Sequence, residues 1–219
     1  MSGSYLTKEF QRRVISWFHQ KGRVFYWRKN ILNTWQWLVL ELLLKRTRAE
    51  TVEKVFPSIV AKYFEPKIVI DTNDLELERD LKHLGLYRQR RAALKQIAKK
   101  ILAEHGGVTP SDQASLNALP HVGSYISNAV LCFGQGQRVP VVDSNVARVL
   151  TRFLGLEMPK DVRETWIWEL AERMLPDENW IEYNYGLIDT GAIVCRKKKL
   201  ICPSCCLEDL CAYIKKNPE

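Results

Sequence analysis

Apolar residues along this chain return mostly at helical spacing, and strand-like alternation is scarce. Leu6, Phe10, Val14 and Phe18 form one stripe, which predicts an amphipathic N-terminal helix. Residues 35–45 are almost wholly apolar up to a basic end, the pattern of a central buried helix. Residues 50–63 are amphipathic, with Pro57 expected to divide them. Residues 75–84 predict a short helix ended by Gly85, and 88–104 a long basic helix ended by Gly106-Gly107. Residues 113–119 and 125–133 predict two helices joined by the tight turn in "LPHVGSY". Gly134, Gly136 and Pro140 punctuate the next connection. A helix carrying Val146, Val149, Leu150 and Phe153 follows, then helices over 162–175 and 180–194. There is no internal repeat and no low-complexity tract, so the expected fold class is all-α.

The chain has 219 residues, enough for one large domain or two small ones. At 46% hydrophobic it has the material for a packed core. It lacks any apolar run of about 18 residues or more, and its start does not read as a signal peptide. A cytoplasmic, nucleoid-associated protein with no membrane partner is therefore expected. The net charge of +8 favours a polyanionic partner, with nucleic acid ahead of a membrane surface.

Five of the six cysteines fall in the last 25 residues, and only Cys132 lies upstream. Without a signal peptide this crowding points to a metal centre rather than disulfides. Cys195, Cys202, Cys205 and Cys211 are spaced C-x6-C-x2-C-x5-C. The spacing suits a [4Fe–4S] cluster and leaves tetrahedral zinc open, although zinc sites usually pair two close cysteine units. Cys206 adjoins Cys205, so its side chain is expected to point elsewhere. Lys197, Lys198 and Lys199 in the same loop suit phosphate contacts.

In the hairpin, His121, Val122, Gly123 and Ser124 lead into a helix start, where backbone N–H groups favour phosphate. His121 stands where a tight turn favours glycine, and histidine is one of the side chains that tolerates a left-handed backbone. Asp143 stands at an N-cap position, and alone it reads as a capping residue. In combination these pieces are more specific. The hairpin with Tyr125 at its mouth, Val-Asp 18 positions later, "NYGLIDTGAIVC" and the four-cysteine loop resemble the endonuclease III family of helix–hairpin–helix DNA glycosylases. The resemblance spans nearly the whole chain.

The resemblance implies a six-helix barrel over 30–137, with the hairpin at 113–133, and an iron–sulfur lobe made of 1–29 and 138–219. Double-stranded DNA with a mismatched or damaged base would lie in a cleft between the lobes, with the target nucleotide flipped out. It implies a [4Fe–4S] cluster on Cys195, Cys202, Cys205 and Cys211, a monomeric protein, and Asp143 as the carboxylate that stabilises the sugar cation and handles water. Asn145 would support the same site.

Bifunctional members carry lysine at the position of Tyr125, and tyrosine cannot form their Schiff base. The resemblance therefore implies a monofunctional enzyme without lyase activity. Glu41 is a carboxylate in the apolar stretch "TWQWLVLELLL", where burial demands a partner or a task. It is shared with adenine glycosylases and with small mismatch thymine glycosylases. Tyr125 and "LLLKRT" look more like the thymine enzymes, and no C-terminal recognition domain for 8-oxoguanine is expected in this chain. The expected reaction is hydrolysis of thymine or uracil from G/T and G/U pairs. A minimal adenine-DNA glycosylase is the alternative, and a non-catalytic iron–sulfur DNA-binding module is the alternative of another class.

Lys45 aligns with the family's inserting glutamine, with Arg46 beside it. Leu86 and Tyr87 align with its second insertion loop, where an apolar wedge would offset unstacking. Arg88, Arg90 and Arg91 are expected to face the DNA. "FYWRKN" resembles the segment linking the first helix to the barrel, and Trp27 in it is expected to be packing.

Overall fold

The computed structural model describes residues 3–198 and 200–216, so Lys199 lies outside the described residues. The described chain is all-α, with no strand. It divides into a discontinuous unit, residues 1–23 and 138–219, and a continuous unit, residues 24–137. Each is treated by itself.

The continuous unit begins with the short helix α2 (Tyr26–Lys29), followed by α3 (Thr34–Leu44), α4 (Ala49–Lys62), α5 (Pro66–Asp71), α6 (Asp74–Leu81), α7 (Tyr87–His105), α8 (Gln113–Ala118) and α9 (Ser124–Ala129). The first boundary falls before residue 24, not after residue 29. Phe25 stacks on Trp27, and Trp27 meets Phe56 of α4 edge-on, which ties this linker segment to the continuous unit. Trp27 is thus packing, as its sequence context suggests.

Asn33 and Gln36 close a capping box at the start of α3, Asn33 accepting from the Gln36 N–H at 2.8 Å. All of α3 from Trp37 to Leu43 is buried. This helix is the core of its unit, as its unbroken apolar run predicts. Val52 and Phe56 of α4, Leu77 and Leu81 of α6, and Ile97 and Ile101 of α7 are fully buried in the same unit. Pro57 does not divide α4: the helix runs through it. The apolar face carried by Val52, Phe56, Ile59 and Val60 outweighs one missing N–H. The second hairpin helix gives way at Val130–Gly134 to a π-helical turn. There Gly134 lies so close to Trp37 that a Cβ would stand 2.8 Å from the indole.

The discontinuous unit holds α1 (Gly3–Lys21), α10 (Ser144–Leu154), α11 (Thr165–Arg173), α12 (Trp180–Ile193) and α13 (Ala212–Lys216). Its core gathers Phe10 and Val14 of α1, Val146, Leu150 and Phe153 of α10, and Tyr183 and Leu187 of α12. The segment "GLIDTG" explains how α12 sits between two partners. A Cβ at Gly186 would stand 2.7 Å from Val14 of α1, and one at Gly191 would stand 2.6 Å from Asn145 of α10. Asp189 between them is fully buried and accepts from the Arg23 backbone N–H at 2.7 Å and its Nε at 2.8 Å. Among the described residues no helix is long and apolar enough to cross a membrane.

Candidate active site

Asp143 caps α10. Its Oδ1 accepts from the backbone N–H groups of Asn145 and Val146, both at 2.8 Å. Its Oδ2 accepts from Asn145 Nδ2, also at 2.8 Å. Burial pushes the carboxyl above its ordinary value, while these three donors and the charge of Arg148 pull the other way. The result is a fixed, half-buried carboxylate whose charge is held by dipoles rather than by direct pairing with a cation.

Asn145 is in turn held by Arg148, whose Nη2 donates to Asn145 Oδ1 at 2.8 Å and to the Gly191 carbonyl at 2.8 Å. Arg148 Nε donates to the Cys195 carbonyl at 2.7 Å. A chain of hydrogen bonds therefore runs from the Asp143 carboxylate through Asn145 and Arg148 to the first cysteine of the C-terminal loop. Sequence reasoning missed Arg148, although its position one turn after Ser144 on the capped helix was the available signal. Gly191 is what lets the two helices come near enough for this contact.

In the cysteine loop, Cys195, Cys202, Cys205 and Cys211 are of intermediate burial and in no disulfide. Cys195, Cys205 and Cys211 pack against the core of their unit. Among the described residues no group of three or more His, Cys, Asp or Glu side chains is gathered as a metal-holding site. Cys206 does not point away as expected. Its thiol lies within hydrogen-bonding reach of that of Cys205. Burial raises the Cys211 thiol, and the neighbouring Cys205 and Cys195 raise it further. Lys197 and Lys198 are exposed.

In the continuous unit, Glu41 is only 5% exposed, within the otherwise apolar α3. Tyr125 is half-buried in the first turn of α9. His121 takes the left-handed backbone, φ +65°, and its Nε2 lies 2.7 Å from Gln96 Oε1 on α7. The turn spends one of its amides internally: the Val122 N–H donates to the Leu119 carbonyl at 3.3 Å, and the Val122 side chain is buried. Among the described residues, the Gly123 and Ser124 amides donate to no backbone carbonyl. A Cβ at Gly123 would meet open space. The amides free for an anion are therefore those of Gly123 and Ser124, not that of Val122.

Four non-glycine residues take a left-handed backbone among those described, and three of them, Arg46, Leu86 and His121, line one cavity of about 380 Å³ together with Lys45. Such backbone costs about 1–2 kcal/mol for a side chain like leucine and collects at functional sites. Leu86 stays 43% exposed there. Tyr87 is half-buried beneath the Arg88 guanidinium, 5.8 Å from its ring.

The arginine cluster after Leu86 does not act as one surface. Arg88 is exposed, with Glu78 at 3.8 Å, and Arg91 pairs with Asp74 and Glu78. Arg90 is buried and turned inward. Its guanidinium donates to the carbonyls of Leu42 at 2.7 Å, Leu43 at 3.0 Å, Lys45 at 3.0 Å and Gly85 at 3.0 Å, and to Thr47 Oγ1. The last turn of α3 has carbonyls with no helical partner, and Arg90 satisfies them. It joins the loop of Lys45 and Arg46 to the loop of Leu86.

The chain belongs to the HhH-GPD superfamily of base excision DNA repair proteins, whose model matches residues 39–173. It is 32% identical over 210 residues to a thymine/uracil-DNA glycosylase of Methanothermobacter thermautotrophicus, covering 95% of both chains. It is 34% identical over 208 residues to a thymine-DNA glycosylase of Aeropyrum pernix, covering 93% of each. Among solved structures, that of a thermostable thymine-DNA glycosylase superposes with a TM-score of 0.93 at 31% identity, covering 99% of this chain and 100% of that one.

Proposed function

We propose that the protein is a monofunctional DNA glycosylase that hydrolyses the N-glycosidic bond of a flipped thymine or uracil in G/T and G/U pairs. The observation that carries this reading is the Asp143 carboxylate, fixed by three hydrogen bonds at the head of α10. The names of the relatives support the choice of thymine and uracil. As the glycosidic bond breaks, its electron pair leaves with the base, and positive charge develops on the sugar. A preorganised carboxylate stabilises that charge without reorganising. Water then adds to C1′, and Asp143 accepts its proton, leaving an abasic site. A departing pyrimidine anion is resonance-stabilised, so Glu41 is assigned to hydrogen-bonding the base or positioning water rather than to strong acid catalysis. Tyr125 has no amine with which to form an imine, so the strand stays intact. Lys45, Arg46, Leu86 and Tyr87 are assigned to filling the space left by the flipped nucleotide, and His121, Gly123 and Ser124 to the phosphates.

The all-sulfur donor set of Cys195, Cys202, Cys205 and Cys211, partly buried and in no disulfide, fits a [4Fe–4S] cluster. When bound, the cluster supplies a rigid closure of residues 195–211, and Arg148 carries that order to Asn145.

The test is excision from end-labelled duplexes containing G/T, G/U or adenine opposite 8-oxoguanine. Product from G/T and G/U that appears only after alkali is expected. Product from the adenine duplex alone, or strand breaks without alkali, overturns the reading.

A further inference from the structure

The discontinuous unit contains a second cationic constellation beside the Asp143 network. A cavity of about 650 Å³ lies between α10, the connection after it, the cysteine loop and α13. Five cations line it: half-buried Arg148 and Arg152, and exposed Lys160, Lys197 and Lys216. No carboxylate is among the described lining residues, and none of the five cations is in an ion pair with a described residue. The nearest acid in sequence to Lys160 is Asp161, which is held by Arg163. Glu164 is taken up by the Asp161 N–H and the Trp166 indole.

Five like charges around one space repel one another unless an anion enters. Two of them are fixed in place beforehand. Arg148 is held as described above. Arg152 donates to the Arg196 carbonyl at 2.8 Å, lies 3.5 Å from Cys195 Sγ, and sits over the Tyr213 ring at 4.9 Å. Lys216 is steered inward by a 3.0 Å hydrogen bond to the Gly155 carbonyl at the end of α10. The ligand is therefore anionic and carries several charges.

Two features choose its form. Among the described lining residues Tyr213 is the one aromatic ring, and Arg152 already lies over a face of it, which limits the room for a stacked base. Three of the five cations are lysines, point charges on flexible stems, which suit the single charges of diester phosphates better than a bidentate cradle does. We infer that this cavity binds backbone phosphates of a nucleic-acid strand, a contact additional to those assigned to the hairpin and the insertion loops. The choice of nucleic acid rests on the DNA-repair reading above. The geometry of the cavity does not.

The experiment uses the full chain as purified, a labelled undamaged duplex and fluorescence anisotropy over a range of salt concentrations. The variant is Lys160→Gln/Lys216→Gln, and the charge-matched control is Lys8→Gln/Lys21→Gln, two exposed positions on α1. The slope of log Kobs against log salt is expected to flatten by about 0.9 per lost phosphate contact, about 1.8 for the double variant. Lys160→Gln alone is expected to show about half of that loss, and the control none. An unchanged slope in the double variant, or an equal loss in the control, overturns the inference. So does saturable binding of dTMP or inorganic phosphate by the wild type that the double variant loses while its duplex slope stays unchanged, which would assign the cavity to a free phosphate. If the wild type excises nothing while the slopes differ as expected, the glycosylase reading fails and the cavity assignment stands.

Discussion

Asp143 is at once the cap of α10 and the carboxylate assigned to the sugar, and these tasks pull its proton affinity in opposite directions. Burial raises it, while two amides and Asn145 lower it, and burial prevails. The ionised form is the active one, so the acid limb of the excision rate is expected to lie above the ordinary aspartate value of 3.8. Asp143→Asn is expected to lower single-turnover excision by about 10²–10⁴-fold while undamaged duplex still binds. The same shift sets the sign of the stability effect. A carboxyl with a raised folded-state value destabilises the fold only once ionised. That penalty is absent below the unfolded value and complete above the folded one. The melting temperature of Asp143→Asn relative to wild type is therefore expected to rise as pH increases through the raised value, and a flat difference would contradict the assignment. At this scale some of the site was legible in the sequence. Asp143 preceded a helical stripe, and His121 stood where the turn demands a left-handed backbone. Arg46 carried no such sign, since nothing in "KRT" marks a left-handed backbone, φ +62°. The inward turn of Arg90 was equally hidden: three of its acceptors are carbonyls more than 40 positions upstream, and nothing in "RQRR" distinguishes it from Arg88 and Arg91.

The long helices were readable because each carries a periodic apolar face, and the buried run of α3 was readable because it has none. The helices missed, α2, α5 and α13, are four to six residues long, too short to display a period. Pro57 misled for a related reason: local propensity argues for a break, and burial of a whole helix face overrides it. What no single element revealed is how the two loops assigned to opening the duplex are joined. Arg90 does this by satisfying the end of α3 from α7. Arg90→Ala would leave several carbonyls of that turn without their donor, at an expected cost of about 2–4 kcal/mol in denaturant unfolding. Burial lowers the affinity of Arg90 for its proton without removing its charge near neutral pH. Lysine should therefore keep the charge but recover only part of the stability, since an ammonium cannot span that set of acceptors. Full recovery by lysine would mean that charge, not the planar fork, holds the loops together.

At the scale of the molecule the assigned residues fall into both units. The continuous unit carries the hairpin, Glu41 and the insertion loops. The discontinuous unit carries Asp143 and all four cysteines, and within it the Arg148 side chain touches both the support of the carboxylate and the first residue of the cysteine loop. Cys195 also lies against Arg152, and the Cys211 thiol contacts the Arg152 carbonyl at 3.6 Å, so α10 borders the first and last cysteines of the loop. If a metal cluster closes residues 195–211, its loss should be felt first along α10 rather than across the chain. Iron removal followed by hydrogen exchange is expected to reduce protection in 190–215 and in the turn of α10 around Arg148. Protection across 24–137 is expected to stay as it was, since the core of that unit is its own. Excision should fall with the loss of order around Asn145, and by more than the affinity for undamaged duplex falls. Uniform loss of protection in both units would instead make the cluster a global staple of the fold. Unchanged protection around Arg148 would sever the link from the cysteine loop to Asp143.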